Sequence, residues 1–130
     1  MTQEEKQLLF KDLCGRLPYS VVVRCTDSDT DYNCFLTTGI LHEIQNGYEY
    51  YDYKPYLRPM SSMTEEEKME VQKLDVCYDG AFHNDIYDMG ISMEEAFTAI
   101  SWLLERHFDI NYLIEKGLAL EAPKNMYKTE

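Results

Sequence analysis

Few residues in this chain could do chemistry, and their spacing decides what each could do. Asp79, His83 and Asp85 gather in "DGAFHND", with Asp88 close behind. Two carboxylates beside an imidazole can relay a proton or hold a divalent ion, so this segment has the ingredients of a small hydrolase. The same residues are also what a turn-rich loop contains, and no periodic pattern around them fixes a geometry. Cys77 precedes His83 in the same stretch, but thiol–imidazole pairs are assembled by folds, not by local spacing. Asp27, Asp29 and Asp31 alternate in "DSDTD" like the opening of a calcium loop. Tyr32 then stands where that loop needs glycine and Thr38 where it needs glutamate, which leaves a solvated turn.

Cys14, Cys25, Cys34 and Cys77 contain no pair at two-residue spacing, and no histidine pair stands near to complete a zinc site. They read as free thiols in a reducing, cytosolic setting. No glycine-rich phosphate loop, Gly-x-Ser-x-Gly or His-Glu-x-x-His occurs. The expectation is a non-enzymatic protein with no metal and no cofactor. The alternatives are a small hydrolase using Asp79, His83 and Asp85, or a self-associating structural component.

Binding is the better-supplied chemistry. "YEYYDYKPY" places Tyr48, Tyr50, Tyr51, Tyr53 and Tyr56 within nine residues. In a strand, Tyr48, Tyr50 and Tyr56 point one way and Tyr51 and Tyr53 the other, so one face can wall the core while the other grips a partner. Tyrosine suits both, as a rigid ring with a polar tip. Glu65, Glu66, Glu67 and Glu70 form an acidic run, and Trp102 is the single tryptophan. Those ten residues are the candidate partner surface. His42 and His107 have routine readings, the latter as a favourable cation near a helix C-terminus.

The chain has 24 acidic and 12 basic side chains in 130 residues, a formal charge of −12. Such a surplus repels phosphate backbones and anionic lipid and steers toward basic partners. The expected partner is therefore a protein with a basic surface, with no direct nucleic-acid contact. No run approaches the roughly 20 apolar residues that cross a bilayer, and the first residues are too acidic for a secretory signal. A soluble, cytoplasmic chain with one domain over 1–130 is expected, since this length suffices for one packed core.

The elements that must position these residues follow from periodicity and capping. Thr2 and Glu5 have capping-box spacing ahead of a helix over about 3–14, in which Leu9, Phe10, Leu13 and Cys14 share a face and which Gly15 and Pro18 end. "YSVVVRC" and "YNCFLTTGILHEIQ" read as strands joined by the aspartate-rich turn, the second bent at Gly39. A further hairpin at Asn46-Gly47 leads into the tyrosine strand. Thr64 and Glu67 repeat the capping spacing before a helix over about 65–74. Residues 75–90 read as irregular, with a short strand at 76–78. Ser92 and Glu95 cap a helix whose stripe is Met93, Ala96, Phe97, Ile100, Leu103, Leu104 and Phe108. Trp102 lies about 140° around from Phe97, off that stripe. Asp109 caps a last short helix through Lys116, ended by Gly117, before an extended tail. The sum is an α+β domain: a small curled antiparallel sheet of three to four strands packed with three to four helices.

Two segments, "KPYLRPMSSMTEEEK" at 54–68 and "HFDINYLIEKGLALEAPKNMY" at 107–127, resemble a family of short proteins carried by gut Bacteroides and by their phages and mobile elements. The likeness covers about a third of the chain, and the stretch at 75–90 is shorter than in that family. The resemblance brings no activity and no catalytic residue. By analogy it implies an accessory or anti-defence factor that binds a host or element-encoded protein.

Overall fold

The computed structural model describes residues 2–46, 51–73 and 93–127. Helix α1 (Gln3–Arg16) begins as its capping residues dictate: Thr2 Oγ accepts from the Glu5 amide at 3.1 Å and Glu5 returns the bond to the Thr2 amide at 2.8 Å. It runs two residues past the expected end. Gly15 lies inside the helix, where a side chain would press on Leu104 Cδ1. The stop comes at Leu17–Tyr19, a 3-10 turn with Pro18, followed by Ser20 in the left-handed region at φ 56°. Leu9 and Leu13 are buried as expected, whereas Cys14 is exposed.

Strands β1 (Val22–Thr26) and β2 (Asp31–Phe35) form the expected hairpin. Its turn is closed by Asp27, whose Oδ1 accepts from the amides of Asp29 and Thr30 at 2.7 and 2.6 Å. Those bonds hold the Asp27 carboxyl below the usual carboxylate range.

The next segment departs from expectation. The second strand ends at Phe35, and residues Thr38–Asn46 form helix α2. Thr37 Oγ1 accepts from the Ile40 amide at 3.2 Å, and Ile40, Leu41 and Ile44 recur at helical spacing toward the core. Amphipathic period overrides the β-forming types of the segment, and Gly39 sits in the first helical turn instead of at a strand bend. Asn46 is therefore the last residue of a helix and not of a hairpin strand, and Gly47 lies outside the described residues. Strand β3 (Asp52–Leu57) pairs with β1, not β2. Both β2 and β3 run antiparallel to β1, so they point the same way with β1 between them. Helix α2 is the connection of such a unit.

The sheet order is β2-β1-β3-β4, and β4 (Leu120–Glu121) joins β3 in parallel. The sheet is thus mixed and open, within a small α+β fold. The tail is tied further by Tyr127, whose hydroxyl accepts from the Val22 amide and donates to the Tyr56 carbonyl, each at 2.8 Å. Helices α1 and α2 cover one sheet face, where Leu9, Leu13, Ile40 and Leu41 meet Val23, Cys25, Tyr53 and Leu57.

Helix α3 (Glu65–Lys73) starts from the expected box, with Thr64 and Glu67 exchanging bonds at 2.9 and 3.1 Å. Helix α4 (Met93–Glu105) is rotated relative to the expected stripe. Ala96, Ala99, Trp102 and Leu103 are buried, while Phe97 is 72% exposed and Ile100 is exposed too. Trp102 and Leu103 join Val71 of α3 and Phe108 in a second cluster, and the bulk of the indole decides which side faces in. The expected last helix is a series of turns. Asp109 caps no helix; its carboxylate instead ties the turns together, accepting from the amides of Leu113 and Ile114 at 2.8 and 3.0 Å. Tyr112 at φ 57° then breaks the helical path, and Gly117 at φ 76° ends the run. The expected strand at 76–78 and the cap at Ser92 lie outside the described residues.

Candidate functional site

Three places gather polar chemistry. The first lies between the sheet and α2. The β1–β2 register sets Cys25 opposite Tyr32 and Cys34 opposite Val23, so the two thiols are diagonal neighbours. Their sulfurs are 3.1 Å apart. Cys25 is fully buried and Cys34 half-buried. Tyr32 meets Tyr51 edge-on with ring centres 5.9 Å apart, and Tyr51 lies 5.8 Å from Tyr53. The Tyr53 hydroxyl donates to Glu43 of α2 at 2.5 Å. Burial, then the bond to Cys34, pushes the Cys25 thiol up to about 12. The bond that Tyr32 makes to Tyr51, then burial, pushes Tyr32 up to about 12, and burial with the bond to Glu43 raises Tyr53. Cys25, Tyr32 and Tyr53 are thus held protonated at neutral pH, an arrangement unsuited to proton relay.

The second place is α3. Glu67, expected at the partner surface, is buried. Arg58 grips it with two bonds at 2.7 and 2.8 Å, and the guanidinium lies 4.2 Å over the Phe108 ring. Burial works to raise the Glu67 carboxyl, but the Arg58 pair and the Thr64 bonds outweigh it and hold it below the usual range. Glu70 accepts from Trp102 Nε1 and from Arg106, both at 3.3 Å. The side that remains to solvent carries Glu65, Glu66, Lys68 and Met69; Lys68 pairs with Glu65 at 3.4 Å, and Met69 is 59% exposed.

The third place joins α1 to the turns after α4. Asp12 and Arg16, both with side chains out of solvent, pair at 2.5 Å. Asn111 donates to Asp12 at 2.8 Å and Arg16 to the Phe108 carbonyl at 2.8 Å. His107, expected as an exposed helix-end cation, is buried in the left-handed region at φ 66° and stacks on Tyr127 with ring centres 3.7 Å apart. Burial, then the charges of Arg16 and Arg58, pulls it down to about 4, so it is neutral at pH 7. Beside it a cleft of about 620 Å³ is lined by Arg58, Thr64, Glu121, Lys124 and Tyr127.

The tyrosine strand thus has a clear division among the described residues. Tyr51 and Tyr53 wall the core, and Tyr56 lies on the opposite face. Tyr53 and Trp102, 7% and 8% exposed, are removed from the partner surface by burial, and Glu67 by its ion pair. Tyr48, Tyr50, Asp79, His83, Asp85 and Cys77 lie outside the described residues. Among the described residues no group of three or more acidic, histidine or cysteine side chains could hold a metal ion. No helix among them is long and apolar enough to cross a membrane. The contact between Cys25 and Cys34 was missed in the sequence. Once the turn at 27–30 is placed, however, hairpin register alone puts the two thiols two positions apart on facing strands. The Asp12–Arg16 spacing was equally visible, but its burial was not. Set against protein-family models, curated proteins and solved structures, the chain matches none.

Proposed function

We propose that this chain is a non-enzymatic binding protein, working in the cytosol, that docks an electropositive protein surface through the outward face of α3. The observation that carries the reading is the position of Met69. At about 100° per residue, Glu67 and Val71 point inward, which puts Met69 at the crest of the opposite side with Glu65 and Glu66 beside it. An exposed apolar side chain set among carboxylates offers contact area and long-range steering together. The net charge of −12 disfavours nucleic acid as the occupant.

The test uses immobilised chain in lysate at low and at raised ionic strength, beside the variant Glu65→Lys/Glu66→Lys/Met69→Ser, whose changes fall at exposed positions and break one solvent-exposed ion pair, Glu65 with Lys68. A protein that the variant fails to capture is then purified and titrated against the chain. The reading expects its affinity to fall steeply with salt. A partner set identical for the two chains removes α3 as the docking face, and a salt-independent affinity removes the electrostatic mechanism.

A further inference from the structure

We propose that Cys25 and Cys34 form a modification site at which hydrogen peroxide joins β1 to β2 by an intramolecular disulfide. The inference stands apart from the docking reading and rests on the contact between the two sulfurs. They lie 3.1 Å apart on facing strands, and a disulfide needs about 2.05 Å, so closure is a movement of about 1 Å. Diagonal strand positions ordinarily stand about 7–8 Å apart and a disulfide needs its Cβ atoms about 3.5–4.5 Å apart, so closure also draws β1 and β2 together at this point.

The two thiols differ in what can reach them. Cys25 is 1% exposed on the central side of the pair, between β2 and β3. Cys34 is half-buried on β2, which stands at the end of the strand order. Peroxide therefore meets Cys34 first. The Cys34 sulfur attacks the peroxide O–O bond, an S–O bond forms, and one water leaves carrying the thiol proton. Cys25 Sγ then attacks Cys34 Sγ; the S–O bond breaks, the S–S bond forms, and the departing hydroxide takes the Cys25 proton as a second water. Two thiols lose two electrons and two protons, and one peroxide becomes two waters. Burial holds Cys25 as the thiol, which slows its attack; its contact with Cys34 at 3.1 Å is what lets disulfide formation compete with a second peroxide at Cys34. The product would clamp the strand that presents Tyr32 and Phe35, both exposed, to solvent.

Cys14, which is exposed, serves as an internal reference for the peroxide dose. The full chain is treated with hydrogen peroxide, alkylated with iodoacetamide after unfolding, cut with chymotrypsin and weighed by mass spectrometry. Chymotrypsin separates the two thiols at Tyr32. The expected result is two peptides linked through Cys25 and Cys34, both thiols lost together, in a monomer that dithiothreitol restores. In Cys25→Ser, Cys34 should instead accumulate as a sulfenic acid trapped by dimedone. In Cys34→Ser, Cys25 should remain alkylatable at the same dose. The proposal is overturned if Cys34 passes to sulfinic acid while Cys25 stays free. Retention of both thiols at a dose that oxidises Cys14 overturns it too. Repeating the treatment in Cys14→Ser/Cys77→Ser excludes exchange with the other thiols; a link that vanishes there also counts against the pair.

Discussion

Replacing Asp12 by alanine probes a buried ion pair with three bonds to one carboxylate. Asp12 and Arg16 are one helical turn apart on α1 and their side chains are out of solvent. The carboxylate accepts from Arg16 Nε at 2.5 Å, from Arg16 Nη2 at 3.2 Å and from Asn111 at 2.8 Å. Without it, the guanidinium stays buried with the Phe108 carbonyl as its remaining neutral acceptor. Stranding one partner of a buried pair costs about 3–5 kcal/mol, against a total stability of about 5–15 kcal/mol for a domain of this kind. A loss of about 3 kcal/mol lowers the thermal midpoint by about 10 °C. Urea unfolding, followed through the fluorescence of Trp102, measures it directly. Asp31→Ala is the control, because its ion pair with Arg24 stands in solvent and should change the midpoint little. The double variant Asp12→Leu/Arg16→Met removes both charges and should recover to within about 1 kcal/mol of the parent. The reasoning fails if Asp12→Ala is as mild as the control, or if the double variant is no better than the single one.

Three further outcomes follow from the same geometry. His107 has its folded pKa lowered to about 4 from 6.5, so the unfolded chain takes up a proton first as pH falls. Stability present above pH 6.5 is then lost as pH drops toward 4. In His107→Asn, which tolerates the left-handed backbone, the slope between pH 6.5 and 5 should flatten; an unchanged slope in an acid titration of stability refutes the burial argument. Trp102 is 8% exposed, stacked on Phe108 and under Arg106 at 4.1 Å. Its emission should be blue-shifted and poorly quenched by iodide, and efficient quenching would place it at the surface. Gly117 has φ 76° with open space around it, so Gly117→Ala should cost about 1 kcal/mol in denaturant unfolding, from backbone strain alone.

Local chemistry determined what the sequence could reveal by itself. The boxes Thr2/Glu5 and Thr64/Glu67, the turn at Asp27 and the stop at Gly117 are decided within four residues of each position, so their types and spacing suffice. The α+β class followed from them. Long-range contacts decided the rest. The stretch Thr38–Asn46 has strand-forming residues but folds as a helix because Ile40, Leu41 and Ile44 find a core supplied by α1 and β1. Trp102, not Phe97, faces inward because Phe108 and Val71 wait there. His107 reads as a helix-end cation until Tyr127, 20 positions away, closes over it, and nothing near Arg16 in the sequence shows that its guanidinium is buried on the carbonyl of Phe108, 92 positions away. The meeting of Cys25 with Cys34 belongs between the two cases: composition shows only four scattered thiols, and a register set by one turn brings two of them into contact. Burial and register are properties of the closed chain, and no window along the sequence contains them.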